Sequence, residues 1–187
     1  MAPLYIALLH HPVYDKNGMV VTTAVTNLDV HDLARLAKVY DLRACYIVTP
    51  VMTMRRLVAR IIEHWESGSG STYNPTRKEA LALVRLTESL ETTLCEVERD
   101  AGTLPVVVAT SARRTTDHPV PFATLRDRLQ TGATPHLILL GTGWGLTPEA
   151  LSRADAVLEP IRGVAGYNHL SVRTAAAVIL DRLRGDR

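Results

Sequence analysis

Short apolar runs alternate with amphipathic stretches along most of this 187-residue chain. Each run has the length of a strand and ends at polar, glycine or proline residues, so we predict buried β-strands. Apolar residues at helical spacing follow Thr26, Pro50 and Ser171, and each of these residues suits a helix start. Because strands alternate with helices, we predict an α/β fold with a mainly parallel sheet flanked by helices. The runs predicted as strands are 4–9, 44–48, 104–109, 136–140 and 156–158.

The middle of the chain has a different pattern. Residues 67–71 alternate serine and glycine, which predicts a flexible loop. Thr76 and Glu79 then have the spacing of a capping box, in which each side chain satisfies a backbone N–H of the first helical turn. We therefore predict one long amphipathic helix from Thr76 to about Arg99, ended by Gly102.

The most distinctive part of the chain is 135–171, where two glycine-containing segments each follow a predicted strand. In the first, 141–146, three glycines in five positions allow a sharp turn and leave backbone N–H groups uncovered by side chains. Thr147 and Pro148 then match an N-cap and a first helical position. The second segment runs over 163–171. Loops at strand ends are where an α/β sheet usually holds a ligand, so we predict one pocket framed by both segments.

Composition adds few constraints. With 47% apolar and 21% charged residues the chain is an ordinary globular sequence, and its length predicts a single domain over 1–187. The formal net charge of +2 is only mildly basic, so any contact with nucleic acid needs a local basic patch. Cys45 and Cys95 fall in apolar patterns, and we expect buried thiols in a reducing cytosol.

Histidine spacing and hydropathy set further expectations. His10, His11, His31 and His169 lack the spacing of metal ligands, which predicts loop or surface histidines and no metal site. The chain shows no charged leader before a short apolar run, and no apolar stretch long enough to span a bilayer. We therefore expect a cytoplasmic protein without membrane contact.

The segment 139–147, paired with 167–172 and an alanine-rich helix, resembles the SPOUT superfamily of RNA methyltransferases. The whole chain looks closest to a stand-alone bacterial branch of predicted S-adenosylmethionine (SAM)-dependent RNA methyltransferases. The resemblance implies a C-terminal trefoil knot whose loops hold SAM in a bent shape. It also implies a homodimer, because in this superfamily the active site forms at the interface between two subunits.

The resemblance also implies which residues hold the cofactor. Many relatives carry a glutamate in the first glycine loop, where this chain has Thr142 or Gly143. Trp144, in the same loop, is expected to be a packing anchor. The residues implied to bind SAM are Thr110, Ser111, Gly141, Thr142, Gly143, Gly145, Leu146, Ile161, Gly163, Tyr167, Asn168, His169, Leu170 and Ser171.

Three residues are catalytic candidates by the same resemblance. Asn27 and Arg35 resemble the first motif of the ribose 2′-O-methylating branch, in which an asparagine precedes a functional arginine. Here the gap between the two is longer than usual. A guanidinium stays protonated, so lowering the pKa of the ribose hydroxyl or binding phosphate is physically easier for Arg35 than acting as a base. Ser171 matches the family's serine, and it also suits the N-cap of the last helix.

Simpler interpretations stand beside these. In the simpler interpretation, Arg35 is a solvated helix residue that pairs with Asp32 or Asp29. Asp29 is also a candidate general base for a nitrogen acceptor, although carboxylates in a first helical turn are common for dipole reasons alone.

Basic and aromatic residues indicate an RNA surface. Trp65 and Tyr73 are candidates for an edge on which RNA bases stack, and they are equally candidates for burial at a subunit contact. The alternative for the arginines is a solvated helix face. The residues predicted to contact RNA are Arg35, Arg77, Lys78, Arg113 and Arg114.

These patterns lead to one hypothesis and two alternatives. The first is a SAM-dependent methyltransferase of tRNA or rRNA that acts on a ribose 2′-hydroxyl or a guanine ring nitrogen. The second is a non-catalytic RNA-binding or assembly factor that retains the fold. The third is a nucleotide-binding enzyme of the doubly wound type, which the G-x-G-x-G spacing at 141–145 disfavours because the dinucleotide fingerprint is G-x-G-x-x-G.

Overall fold

The computed structural model describes residues 1–113 and 115–186. The strands are β1 Leu4–Leu9, β2 Val13–Tyr14, β3 Val20–Val21, β4 Ala44–Val48, β5 Val84–Thr87, β6 Val106–Ala109, β7 His136–Gly141 and β8 Ala156–Val157. The helices are α1 Asn27–Val39, α2 Met52–Glu66, α3 Gly70–Tyr73, α4 Pro75–Leu81, α5 Leu90–Ala101, α6 Phe122–Thr131, α7 Pro148–Leu151 and α8 Val172–Arg184.

A six-stranded sheet in the order β5-β4-β1-β7-β6-β8 forms the centre of the fold. Every neighbouring pair in this sheet is parallel, as predicted. The strand β1 pairs with β4 on one side and with β7 on the other, where Leu9 lies opposite Gly141. A separate antiparallel hairpin of β2 and β3 follows β1. Because all six strands run the same way, the loops that carry the glycines leave one edge of the sheet.

Both faces of the sheet are buried, which explains why the strands are continuously apolar rather than alternating. Alternate residues of β1 belong to two separate core clusters: Leu4, Ile6 and Leu8 to one, and Tyr5, Ala7 and Leu9 to the other. The first cluster is shared with α1, α6 and α8, and the second with α5 and α7. The layers therefore follow from the alternation of side chains along each strand.

The prediction of one long helix over 76–99 is wrong. The chain instead forms α4, the edge strand β5 and α5. Asn74 rather than Thr76 caps α4, since its side chain accepts a hydrogen bond from the Arg77 backbone N–H at 3.0 Å. Ser89 starts α5 in the same way through the Thr92 N–H at 3.1 Å. Pairing with β4 stabilises the extended Val84–Thr87 segment, and this tertiary contact overrides the helical spacing of the surrounding sequence.

Three smaller expectations also differ from the structure. The predicted loop over 67–71 is partly helical, because α3 begins at Gly70. Cys45 is buried as expected, but Cys95 is exposed on α5. His10, predicted to be a loop or surface histidine, lies in the loop after β1 but is fully buried there. None of the helices over residues 1–113 and 115–186 combines the length and the apolar character that crossing a bilayer requires.

The last helix, α8, is fastened to the beginning of the chain. Its Arg184 guanidinium donates to the backbone carbonyl oxygens of Ala2, Tyr40 and Asp41, the last at 2.8 Å. These bonds connect the C-terminal helix to the start of β1 and the end of α1. The threading of this region as a trefoil knot stays a prediction.

Truncation of the central strand tests the core. We expect Ile138→Ala to lower the free energy of unfolding by about 2 to 5 kcal/mol, because the residue is fully buried in β7 and its removal leaves a cavity. Leu104→Ala, at a residue that is 62% exposed ahead of β6, should change it by less than about 0.5 kcal/mol. Urea denaturation at one protein concentration measures both. Equal effects would contradict the central place of β7 in the core.

Candidate functional site

A cavity of about 690 Å³ opens at the carboxyl-terminal edge of the sheet. Loops that follow β6, β7 and β8 enclose it, together with the start of α8. This is the position predicted for the ligand from the two glycine-containing segments. The residues that line the cavity are Thr23, Ala24, Asp29, Thr110, Ser111, Ala112, Arg113, Leu140, Gly141, Thr142, Gly143, Trp144, Gly145, Leu158, Glu159, Ile161, Asn168, His169, Leu170, Ser171, Val172, Ala175 and Ile179.

The interior of this cavity is apolar and its surroundings are polar. Leu140, Leu158 and Ile179 are buried members of the core that also face the cavity. Carboxylates, hydroxyls and one guanidinium line other parts of it. A cavity of this size and chemistry suits a small molecule with a flat apolar part and several polar groups.

The first glycine loop rests on the β2–β3 hairpin. The Trp144 backbone N–H donates to the Tyr14 carbonyl oxygen at 2.8 Å. Gly143 has a φ of +58°, and a Cβ there would lie 2.7 Å from the same oxygen. Gly145 has a φ of +106° and open space around it. Glycine is therefore required at this position for its backbone conformation and not for lack of space. The glycines at 143 and 145 therefore set the path of the loop along one wall of the cavity.

A chain of hydrogen bonds below this loop fixes the protonation of His10. The Thr142 hydroxyl donates to the Leu9 carbonyl oxygen at 3.0 Å, so it can only accept from the Thr23 hydroxyl, 2.5 Å away. Thr23 in turn must accept from Nδ1 of His10, at 3.0 Å. His10 is therefore the Nδ1–H tautomer, and burial lowers its pKa against the opposing influence of Asp29. Its Nε2 is buried and has no hydrogen-bond partner among the described residues.

An ion pair closes the opposite side of the cavity and joins α1 to α8. One carboxylate oxygen of Asp29 accepts from Arg173 at 2.8 Å, and the other from the Thr26 hydroxyl at 2.5 Å. Arg173 also contacts Asp32, with 3.2 Å between Nε and Oδ2. Asp29 is buried, so both of its oxygens are held in a fixed direction. The simpler interpretation of the sequence paired Arg35 with these two aspartates. In the structure their partner is Arg173 instead.

A hydrogen bond ties the second glycine-containing segment to the loop that follows β6. The Asn168 side-chain amide donates to the Ala112 carbonyl oxygen at 2.5 Å. Glu159 accepts from the Phe122 backbone N–H at 2.7 Å and adds a second carboxylate to the lining. Sequence reasoning missed Glu159, although its position directly after a predicted strand was a usable signal. Ser171 lines the cavity and caps α8 through the Thr174 N–H at 3.2 Å.

Most of the residues predicted to bind the cofactor line this cavity, from all three loops. Three do not. Leu146 is buried in the core and bridges to Val13. Gly163 and Tyr167 are exposed, and Tyr167 contacts the ring of His169.

Trp144 does not have the predicted packing role. Its side chain is 54% exposed at the cavity, with the Arg113 guanidinium 6.0 Å from its ring centre. An exposed tryptophan on the wall of a cavity is available to a ligand.

The other predicted site residues are divided between the cavity and a second depression of the molecule. Asn27, Arg35 and Arg77 line a separate groove of about 760 Å³, formed by α1, α2 and the start of α4. Lys78 is exposed on α4, and Arg113 lines the cavity. Arg114 lies outside the described residues.

The described residues offer no metal site. Nowhere in this part of the chain do three His, Cys, Asp or Glu side chains gather closely enough to hold an ion. The polar groups of the cavity are instead suited to hydrogen bonds and charge pairing.

Comparisons with known proteins give the family of similar sequences. A family model described as SAM-dependent RNA methyltransferase matches residues 3–185. A protein of Oleidesulfovibrio alaskensis named tRNA (guanine-N(1)-)-methyltransferase is 45% identical over 98% of this chain, which spans only 42% of that protein. A protein of Aquifex aeolicus named only as uncharacterized is 42% identical over 96% of this chain and 87% of its own length.

Solved structures confirm the predicted fold class. TrmJ from Z. mobilis superposes with a TM-score of 0.63 at 13% identity, over 98% of this chain and 69% of its own. An AdoMet-bound rRNA methyltransferase from Sinorhizobium meliloti has a TM-score of 0.57 at 14% identity, over 97% of this chain and 56% of its own. At such low identity these likenesses establish the fold alone.

The buried neutral His10 predicts a pH-dependent stability. Its folded pKa lies below the ordinary value of 6.5, so the unfolded chain takes up a proton that the folded protein excludes. The stabilisation is therefore complete above pH 6.5 and is lost as the pH falls toward the lowered pKa. Between pH 7 and pH 5.5, His10→Gln should lose less unfolding free energy than the wild type, by up to about 1.4 kcal/mol per pH unit.

The exposed His118→Gln is the matched control, and urea denaturation at each pH is the measurement. In His10→Gln the dependence of the unfolding free energy on pH should become weaker but should not disappear, because burial also lowers the pKa of His31 and of His136. A His10→Gln slope equal to that of the wild type would contradict the lowered pKa of His10 in the folded protein.

Proposed function

The chain belongs to the family of SAM-dependent RNA methyltransferases, and within that family we propose that it methylates tRNA with SAM held in the cavity at the sheet edge. The single observation that carries this proposal is the cavity of about 690 Å³ built from the glycine loops and the start of α8. The choice of tRNA is supported by the printed name of the Oleidesulfovibrio relative, whose matching region is 45% identical.

The chemistry of the lining fits SAM. Apolar side chains such as Leu158 and Ile179 offer a surface for the adenine ring, and the glycine loop offers backbone groups to its polar edge. Asp29 and Glu159 supply negative charge to a cavity that would take a sulfonium and an ammonium group. Arg113 offers a partner for the carboxylate, which is on the same carbon of the methionine part as the ammonium group.

SAM supplies a methyl group on a positively charged sulfur, which leaves by in-line displacement. The residues of this chain therefore need to hold the donor, align the acceptor and, where the acceptor is weak, remove its proton. The acceptor is a ribose 2′-hydroxyl or a guanine ring nitrogen. Asp29 faces the cavity, but Thr26 and Arg173 hold its oxygens, so its first role is to position α8 against α1.

We propose a homodimer in which Asn27 and Arg35 of one subunit act at the cavity of its partner. Within one subunit both residues line the groove rather than the cavity. Arg35 is exposed, and among the described residues no carboxylate lies within ion-pair distance of it. Val39, at the end of the same helix, does not line the groove and is 72% exposed, which supports a subunit contact there.

Three further expectations belong to the same proposal. Residues 1–187 form one methyltransferase domain, a view supported by the Oleidesulfovibrio relative, in which the matching region is 42% of a longer chain. The C-terminal region forms the trefoil knot of the superfamily. The protein acts in the cytoplasm, where its RNA substrate is.

Calorimetric titration with SAM and S-adenosylhomocysteine tests the cavity directly. We expect saturable binding of both, no binding of NAD or ATP, and at least about tenfold weaker binding in Gly143→Ala, because the new Cβ displaces the loop from the Tyr14 carbonyl oxygen. Gly102→Ala is the matched control, since this glycine also has a positive φ, of +75°, but ends α5 away from the cavity. Folded protein that binds neither compound would overturn the proposal.

Transfer of a labelled methyl group from SAM to tRNA tests the reaction. We expect incorporation with the wild type, and digestion of the RNA followed by mass spectrometry should identify a 2′-O-methyl nucleoside or a methylguanine. Arg35→Ala should lower kcat while SAM binding is kept. Protein that binds both SAM and tRNA but transfers no methyl group would favour the non-catalytic RNA-binding alternative.

A further inference from the structure

The groove formed by α1, α2 and the start of α4 has features of its own. It is about as large as the cavity, at about 760 Å³ against 690 Å³, and shares no lining residue with it. Its lining combines aromatic rings, three guanidinium groups and short apolar stretches from Leu28, Leu57 and Ile61. Nothing in the donor-binding role of the cavity requires this second depression.

Aromatic and planar groups converge on Trp65 in this groove. The Arg77 guanidinium lies over the Trp65 ring, with 4.7 Å between its central carbon and the ring centre. The rings of His31 and His64 approach Trp65 edge-on, at 5.6 Å and 5.1 Å. A nucleobase can stack on two kinds of planar group here, an indole ring and a guanidinium group.

The groove is also cationic. Arg35, Arg60 and Arg77 line it, and among the described residues none of the three has a carboxylate within ion-pair distance. The one acidic residue in the lining, Asp32, is already paired with Arg173. Burial lowers the pKa of His31, and the nearby Arg77 lowers it further, which agrees with an excess of positive charge. Such a groove complements an anionic ligand.

We propose that this groove binds an unpaired nucleotide of the RNA substrate, with its base stacked at Trp65 and Arg77 and its phosphate held by Arg60. The inference rests on the proposed function, since it assigns a second contact with the same RNA. An unpaired nucleotide is favoured because stacking needs a base face that a duplex covers. The unpaired arginines favour a phosphate over the apolar segment of a protein partner.

Fluorescence anisotropy with a labelled, unmodified tRNA transcript tests the groove. Trp65→Leu keeps an apolar side chain against the core but removes the stacking surface, and we expect about 5- to 150-fold weaker binding. Trp65→Phe keeps a ring and should recover most of the affinity. Arg60→Ala should weaken binding and reduce the salt dependence by about one counterion. Arg56→Ala is the matched control, because Arg56 is also exposed on α2 and does not line the groove.

Fluorescence gives a second and independent measurement. The chain has two tryptophans, Trp65 and Trp144, so Trp144→Phe leaves Trp65 as the one emitter. We expect a short single-stranded oligoribonucleotide to quench this emission in a saturable way, and a fully duplexed RNA of the same length to quench it much less.

Two results would overturn the inference. The first is tRNA affinity in Trp65→Leu and Arg60→Ala equal to that of Arg56→Ala. The second is a change in sedimentation, rather than in RNA affinity, which would make the groove a subunit interface. The first result leaves the proposed function untouched, because SAM binding and methyl transfer are measured separately. The second would instead place the subunit contact of the proposed function at the groove. Circular dichroism verifies that each variant is folded.

Discussion

The parallel pairing of β1 with β7 is the constraint on which the site depends. It places Leu9 opposite Gly141, so that both the backbone N–H and the hydroxyl of Thr142 donate to the Leu9 carbonyl oxygen, at 3.3 Å and 3.0 Å. The same register brings His10 beneath the glycine loop. A slip of one residue would turn the side chains of β7 to the other face of the sheet and remove these contacts. The position of the loop is thus set by the buried core of the sheet.

The helix α1 relates the two depressions of the molecule. Its Asp29 lines the cavity and pairs with Arg173 of α8, whereas its Arg35 lines the groove. The capping box at Thr26 and the ion pair fix this helix against the sheet and against α8. One rigid element therefore separates a pocket suited to SAM from a surface suited to RNA, which is the arrangement that methyl transfer between two bound molecules requires.

Sequence patterns predicted the parts of the fold that depend on local chemistry. The continuous apolar runs indicated β1, β4 and β7 closely, because strands buried on both faces need no polar alternation. The edge strand β5 escaped prediction, since Val84–Thr87 has no such run and its extended form depends on pairing with β4. The order of the strands in the sheet also could not be predicted from the sequence, because the pairing of β1 with β7 joins residues more than 100 positions apart. Glycine and cap residues predicted most of the cavity lining, but Glu159 and the network around His10 arise only from tertiary contacts.

The most direct test of the account is a crystal structure of the protein with S-adenosylhomocysteine. The account predicts the ligand in the cavity bounded by the loops after β6 and β7 and by the start of α8, with its adenine ring beside Leu158 and Ile179. It also predicts that the glycine loop keeps its bond between Trp144 and Tyr14. A ligand found in the groove beside Trp65, or elsewhere on the sheet edge, would contradict the central claim.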